Sequence, residues 1–276
     1  MSALPPEAVR DAHVFRRSLP MHIKLDRIVR AVGKTDGLTC LEIGMDNGMM
    51  SYHLRKTGGT WHTVATHEAA VRSARALVEE NVHVLKKEAL PFKKKVFDVV
   101  VAVDMLARVE NSDAFIAECH RMLKPDGRLA LTVANRKTVT LIRPLRKLLG
   151  GSRDKGGVPH TGFTESDLFV MLKNGFDVHG INKFRRFFVE FTDLCVQALA
   201  RRASASGEHA ERKVMRVYSW AAPFYFVAAQ LDMLLLLTRG HYLIAIAQRR
   251  AWLPRKTPIL TDGRTISEAV LSSIPG

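Results

Sequence analysis

The chain is expected to fold as an α/β domain with a doubly wound, mostly parallel sheet. Three observations carry that expectation. An apolar run, Leu38 to Ile43, ends in Gly44 and Gly48 and gives way to a helix-like stretch from Met49 to Lys56. A second apolar run, Phe97 to Val103, ends in Asp104, and helical spacing follows over Asp113–Leu123. A third run, Arg128 to Val133, comes after the stop signal Lys124-Pro125-Asp126-Gly127. Strand, helix, strand in this rhythm requires right-handed crossovers and parallel pairing. Ligands in such sheets sit at the carboxyl ends of the strands, where Gly44, Asp104 and Asn135 would meet.

The elements can be taken in chain order. Residues 1–37 form a lead-in with one helix, Met21 to Val32, whose Ile23, Leu25, Ile28, Val29 and Val32 have mostly helical spacing. His22 and Lys24 on it either face a ligand or lie on a solvated face. Residues 38–182 are the α/β core. Its first strand stops at glycines, and the next helix starts with free backbone N–H groups that a ligand can approach closely. Glycines at 150, 151, 156 and 157 make Lys147 to Thr161 a loop beside the carboxyl ends of the strands, a common place for substrate contacts. His160 is the residue there able to act as a base near neutral pH; its plainer role is to order the loop. Thr164-Glu165-Ser166-Asp167 opens a helix with Thr164 as N-cap, and Asn174-Gly175 stops it. A strand follows at Phe176 to Ile181.

Residues 183–239 form a helical insertion of unusual composition. Phe187, Phe188, Phe191, Leu194, Cys195, Ala198 and Leu199 give its first half an amphipathic helical pattern. A charged connector, Arg201 to Arg216, leads to Val217–Thr238, whose one formal charge is Asp232. That length suits a bilayer, but Asp232, Gln230 and Pro223 argue against a simple span. The reading is a helical hairpin that lies in or dips into a membrane face; the alternative is a soluble lid on the core or on a second copy. Residues 251–276, with Pro254, Pro258 and Pro275, read as an extended arm.

Five runs together are similar to the class I S-adenosylmethionine-dependent methyltransferases, in the branch of small-molecule and quinone methyltransferases. They are Leu41–Gly48 (LEIGMDNG), Glu88–Phe92 (EALPF), Phe97–Leu106 (FDVVVAVDML), His120–Asn135 (HRMLKPDGRLALTVAN) and Phe163–Val178 (FTESDLFVMLKNGFDV). The resemblance covers residues 38–180 and implies a seven-stranded sheet whose last strand is antiparallel. Gly240 to Ala247 fits that strand, within a segment 240–250. The implied cofactor is S-adenosyl-L-methionine, lined by Glu42, Gly44, Asp46, Gly48, Asp104 and Met105, with Leu90 near the adenine. No metal constellation is present in the sequence, and none is expected.

The sequence departs from the family at four places. Asp46 stands where a third glycine is usual. Ala65 falls where an acidic residue usually binds the ribose hydroxyls, with Glu68 as a candidate substitute or a helix-dipole partner. Lys86 or Lys87, beside Glu88, takes the place of the residue that reads the adenine amino group. Ala107-Arg108 replaces the usual Glu-His. Each lost hydrogen bond costs on the order of 1 kcal/mol of affinity. The departures therefore leave open an altered pocket, weak binding or a scaffold without activity.

Composition narrows the functional classes. Cysteines 40, 119 and 195 lack metal or redox spacing and read as small core hydrophobes in a reducing compartment. Residues 1–20 mix charges among apolar positions, unlike a secretory leader, so a cytoplasmic location on the inner face of a membrane is expected. The formal net charge of +15 points to nucleic acid or an anionic membrane surface. Its basic residues flank apolar segments and carry no aromatic-interleaved RNA-binding motif, which favours membrane over nucleic acid. The favoured reading is methyl transfer to an oxygen or carbon of an apolar or lipid-linked small molecule. The alternatives are a methyltransferase-fold scaffold and, on charge alone, an RNA methyltransferase.

Overall fold

The computed structural model describes residues 6–44, 48–78, 80–85, 90–92, 94–138, 162–205, 209–234 and 240–252. Seven strands form one sheet: β1 (Thr39–Gly44), β2 (Thr60–Ala65), β3 (Val82–Val84), β4 (Phe97–Val103), β5 (Leu123–Ala134), β6 (Phe176–Phe184) and β7 (Tyr242–Arg249). Their spatial order is β3-β2-β1-β4-β5-β7-β6. The pairs among β1 to β5 are parallel, and β7 runs antiparallel between β5 and β6. This is the sheet expected above, down to the reversed last strand. It forms because Cys40, Leu41, Ile43, Val99, Val100, Val101 and Ala102 are fully buried, so both faces of the central strands need apolar side chains.

Helices cover both faces. One face packs against α5 (Ser112–Met122) and α6 (Glu165–Leu172) through Phe115, Ile116, Leu168 and Leu172. The other packs against α2 (Leu19–Val32) and α3 (Met49–Arg55) through Ile28, Val32, Met50 and Leu54. Helix α4 (Glu68–Val78) closes the β2–β3 edge with Ala70, Val71 and Ala74. The Thr164 N-cap is a full capping box with Asp167.

Several boundaries differ from expectation: β6 runs on to Phe184, and β7 spans Tyr242–Arg249. The lead-in holds a second helix, α1 (Pro6–Arg17). Its own sequence is mostly polar, and tertiary contacts hold it: Phe15 stacks on His53 of α3, and His13 Nε2 lies 2.9 Å from Ser219 Oγ of the insertion. Strand β5 begins at Leu123 rather than Arg128, so the Lys-Pro-Asp-Gly stop is taken into the strand. A register shift between Phe97 and Val99, and Asp126 at φ 60°, accommodate it.

The insertion is a pair of helices, α7 (Phe187–Ser204) and α8 (Ala210–Leu234), leaving from the end of β6 and returning to the start of β7. Among the described residues no helix is long and apolar enough to cross a membrane. Asp232, read above as an argument against a span, has a structural task. Its two carboxylate oxygens accept the Phe188 and Val189 N–H groups at 2.9 Å each. It thereby caps α7, whose own N-cap residue, Arg186, supplies no side-chain bond.

The packed histidines make a pH-dependent ledger. Burial is the first cause that holds His53, His62, His83 and His120 below the ordinary histidine value of 6.5. Nearby charges add to it for all four: Lys56 for His53, His83 for His62, Arg75 for His83 and Arg249 for His120, where the hydrogen bond to the Arg250 carbonyl pulls the other way. Below about 6.5 the unfolded chain binds more protons at these sites than the folded one. Their stabilising share is thus present above that pH and lost as pH falls through the folded values. Thermal midpoints should fall between pH 7 and pH 5. Replacing the stacked pair His62 and His83 (5.8 Å between rings) by Leu and Val should flatten that slope, and an unchanged slope would contradict the assignment.

Candidate cofactor and acceptor site

The carboxyl ends of β1, β4 and β5 place Gly44, Asp104 and Asn135 along one edge. At Gly44 the buried Glu42 carboxylate folds back toward the strand end. A Cβ added to Gly44 would lie 2.3 Å from Glu42 Oε1, so any side chain at position 44 would displace that carboxylate. Gly48 sits at φ 87° before α3, and a Cβ there would meet Ala74 Cα of α4 at 2.5 Å. The glycine turn is therefore required both by its left-handed backbone and by close helix packing.

Asp104 adopts φ 54°, a left-handed conformation rare outside glycine. Bonds to Thr132 and Lys24 hold it there. Its N–H donates to the Thr132 carbonyl at 3.0 Å, Thr132 Oγ1 donates to Oδ1 at 3.0 Å, and Lys24 of α2 pairs with Oδ2. Lys24 thus reaches the sheet edge instead of lying on a solvated face. Its ammonium lies 4.9 Å from the Tyr242 ring centre, and the Arg185 guanidinium lies 4.6 Å from the same ring. His22, by contrast, is exposed and bonds back to the Arg16 carbonyl at 3.2 Å.

Arg185 extends this edge into the insertion. Its Nη2 lies 2.7 Å from Glu190 and 2.8 Å from Asp193, with all three side chains buried. Tyr225 Oη donates to Asp193 at 2.8 Å. Burial pulls the Arg185 pKa down, but Glu190, Tyr242 and Asp193 outweigh it and hold the guanidinium above its ordinary value. Arg185, too, has positive φ, at 56°.

The other expected site residues are distributed unevenly. Leu90 and Met105 are buried in the larger core cluster. Glu68 is exposed at the start of α4, three residues beyond Ala65, and Ala65 does end β2. Asn135 points away from a ligand role: its Nδ2 donates to the Gly240 carbonyl at 3.0 Å and pins the entry to β7. Asp46, Lys86, Lys87, Glu88 and His160 lie outside the described residues. Sequence reasoning missed the roles of Arg185 and Tyr242. Their one signal was a cation directly after a strand and an aromatic at the start of the last strand, which many surface positions share.

Strand order and edge are those of the Rossmann-like methyltransferase fold. Residues 41–131 match the methyltransferase-domain family model. A ubiquinone biosynthesis O-methyltransferase from Parvibaculum lavamentivorans is 26% identical over 127 residues, covering 44% of this chain and 49% of that protein. The chain thus spans about half the length of the curated relatives it matches. Among solved structures, the [4+2]-cyclase SpnF superposes with a TM-score of 0.55 at 18% identity, covering 82% of this chain and 79% of that one. Geranyl diphosphate C-methyltransferase from Streptomyces coelicolor, solved with S-adenosyl-L-homocysteine, gives 0.51 at 13% identity, covering 83% and 76%. At those identities the likeness concerns the fold.

Proposed function

We propose that this protein transfers a methyl group from S-adenosyl-L-methionine to an oxygen or carbon of an apolar or lipid-linked small molecule at an anionic membrane surface. One observation carries the cofactor half of this reading. Strand β1 stops at Gly44 with the buried Glu42 carboxylate folded against it, and the chain re-enters a helix at Gly48. A buried carboxylate beside a side-chain-free strand end suits the cationic amino-acid end of that cofactor. The fit is weaker at the ribose, where Ala65 has no oxygen to offer and Glu68 is the remaining acid nearby.

When bound, the cofactor supplies an electrophilic sulfonium methyl. The chain's own task is to orient the acceptor in line with it and exclude water. Glu42, Gly44, Asp46, Gly48 and Glu68 hold the cofactor in this scheme, and Leu90, Met105 and Asp104 shape its walls. Where the acceptor needs deprotonation, His160 is the proposed base. The apolar insertion beside the edge supports an apolar acceptor and a membrane contact. The names of the relatives, which include quinone and geranyl diphosphate methyltransferases, support the same acceptor class.

Calorimetry with S-adenosyl-L-homocysteine tests the reading. Binding below millimolar is expected, and Ala65→Asp should tighten it about five- to tenfold by restoring one or two ribose bonds. Absence of binding at millimolar ligand in both proteins would leave the scaffold reading, which the missing acid at Ala65 favours.

A further inference from the structure

Between the two helices of the insertion lies an open groove of about 590 Å³, within the usual range of a small-molecule site. Its walls are apolar: Phe191, Cys195 and Leu199 from α7, and Val217, Trp220 and Phe224 from α8. Phe191 to Ala203, both in the lining, span about 18 Å of helix at roughly 1.5 Å per residue. Lys213 and Arg216 line the same groove from the first turns of α8. Exposed Arg201, Arg202 and Arg212 lie at the same turn of the hairpin. Glu211, the acid in the first turn of α8, faces Arg10 at 4.0 Å. The groove is thus long, apolar along its length and cationic at one end.

We infer that this groove seats one acyl chain of an anionic phospholipid, with the phosphate held by Lys213 and Arg216. Shape and charge together select that occupant. A long apolar slot gains from burying a flexible hydrocarbon chain, roughly 25 cal/mol per Å² of apolar surface. The cationic end, at the turn that joins the two helices, suits the anionic head. The site differs from the sheet edge that would hold cofactor and acceptor, and α7 separates the two: Glu190 and Asp193 on its buried side meet Arg185, whereas Phe191, Cys195 and Leu199 line the groove. The inference deepens the membrane-contact reading of this surface and rests on it for the source of the lipid.

The test uses the full chain without a bilayer, with dodecyl phosphate below its micelle concentration as probe and dodecyl maltoside as the uncharged control. Cys195 is the reporter. It is partly exposed in the groove wall, whereas Cys40 and Cys119 are buried, so iodoacetamide labelling followed by mass spectrometry reads Cys195. Dodecyl phosphate is expected to slow its alkylation at least fivefold. Lys213→Glu with Arg216→Glu, both exposed positions, should raise the concentration needed about tenfold, with an unchanged thermal midpoint. Protection by neither probe overturns the inference. Equal protection by both removes the anionic head. Protection that rises with protein concentration alone, together with dimers in sedimentation, assigns the groove to a second copy. Liposome flotation separates the two readings: protection without flotation sinks only the membrane contact, and flotation without protection sinks only the chain-binding slot.

Discussion

Arg185→Met is expected to destabilise the protein by about 3–5 kcal/mol, the usual result of leaving buried charge without its partner. Glu190 and Asp193, at 2.7 and 2.8 Å from the guanidinium, would both lose their cation inside the protein. Tyr225 would continue to donate to Asp193, which is too little to compensate for two carboxylates. The pH dependence gives the cause away. Burial already holds the Asp193 pKa above its ordinary value, and loss of the Arg185 charge, which opposes that rise, lifts it further. A group raised in this way favours folding below its unfolded pKa and opposes it as pH rises. The gap between variant and wild type in urea melts should therefore widen from pH 5 to pH 8. Arg185→Lys keeps the charge but not the fork, and should fall between the two. A methionine variant as stable as wild type at pH 8 would show that the cluster does not hold the insertion to the sheet.

The contrast between the sheet and this cluster explains what a sequence can disclose. Parallel strands buried on both faces appear as uninterrupted apolar runs, so Leu38–Ile43 and Phe97–Val103 were readable without neighbours. The end of β2 at Ala65 came instead from the family resemblance. Helix α1 was not readable, because its stabilising partners, His53 and Ser219, lie elsewhere in the chain. Arg185, Glu190 and Asp193 resemble surface charges in one dimension; only the fold brings Tyr225 over them and takes water away. Asp232 is the plainest case. In an apolar run it looked like a defect in a span, yet its carboxylate closes the start of a helix 44 residues earlier in the chain. Lys24 could be read as facing a ligand or solvent, and its pairing with Asp104 needed α2 laid across the sheet face. For the candidate site, Gly44 and Gly48 could be read because their chemistry is local. Whether the altered ribose position still binds is a property of the pocket as a whole.

Simultaneous replacement of Trp220, Phe224 and Phe226 by serine is expected to abolish recovery of the protein with floated liposomes that contain anionic lipid. These side chains are 71%, 63% and 66% exposed, a concentration of large apolar groups that a monomeric surface seldom leaves to water. Being exposed, they contribute little to the folded core, so the thermal midpoint should change by less than the Arg185 variant changes it. Full burial of such a side chain stabilises by roughly 1.5–3 kcal/mol. If the bilayer takes up only half of each, the three together account for about 2–4 kcal/mol, or roughly 30- to 1,000-fold in partitioning. The basic residues around the hairpin add about 1 kcal/mol each where they reach the headgroups at low salt. Salt should therefore weaken wild-type binding without removing it, since apolar burial is not screened. The serine variant should retain only the salt-sensitive part. Equal recovery of both proteins, or recovery of neither, would make the hairpin a lid or an interface between copies. The proposed acceptor would then lose its strongest structural reason to be lipid-linked, while the cofactor edge at Gly44 and Glu42 would stand unchanged.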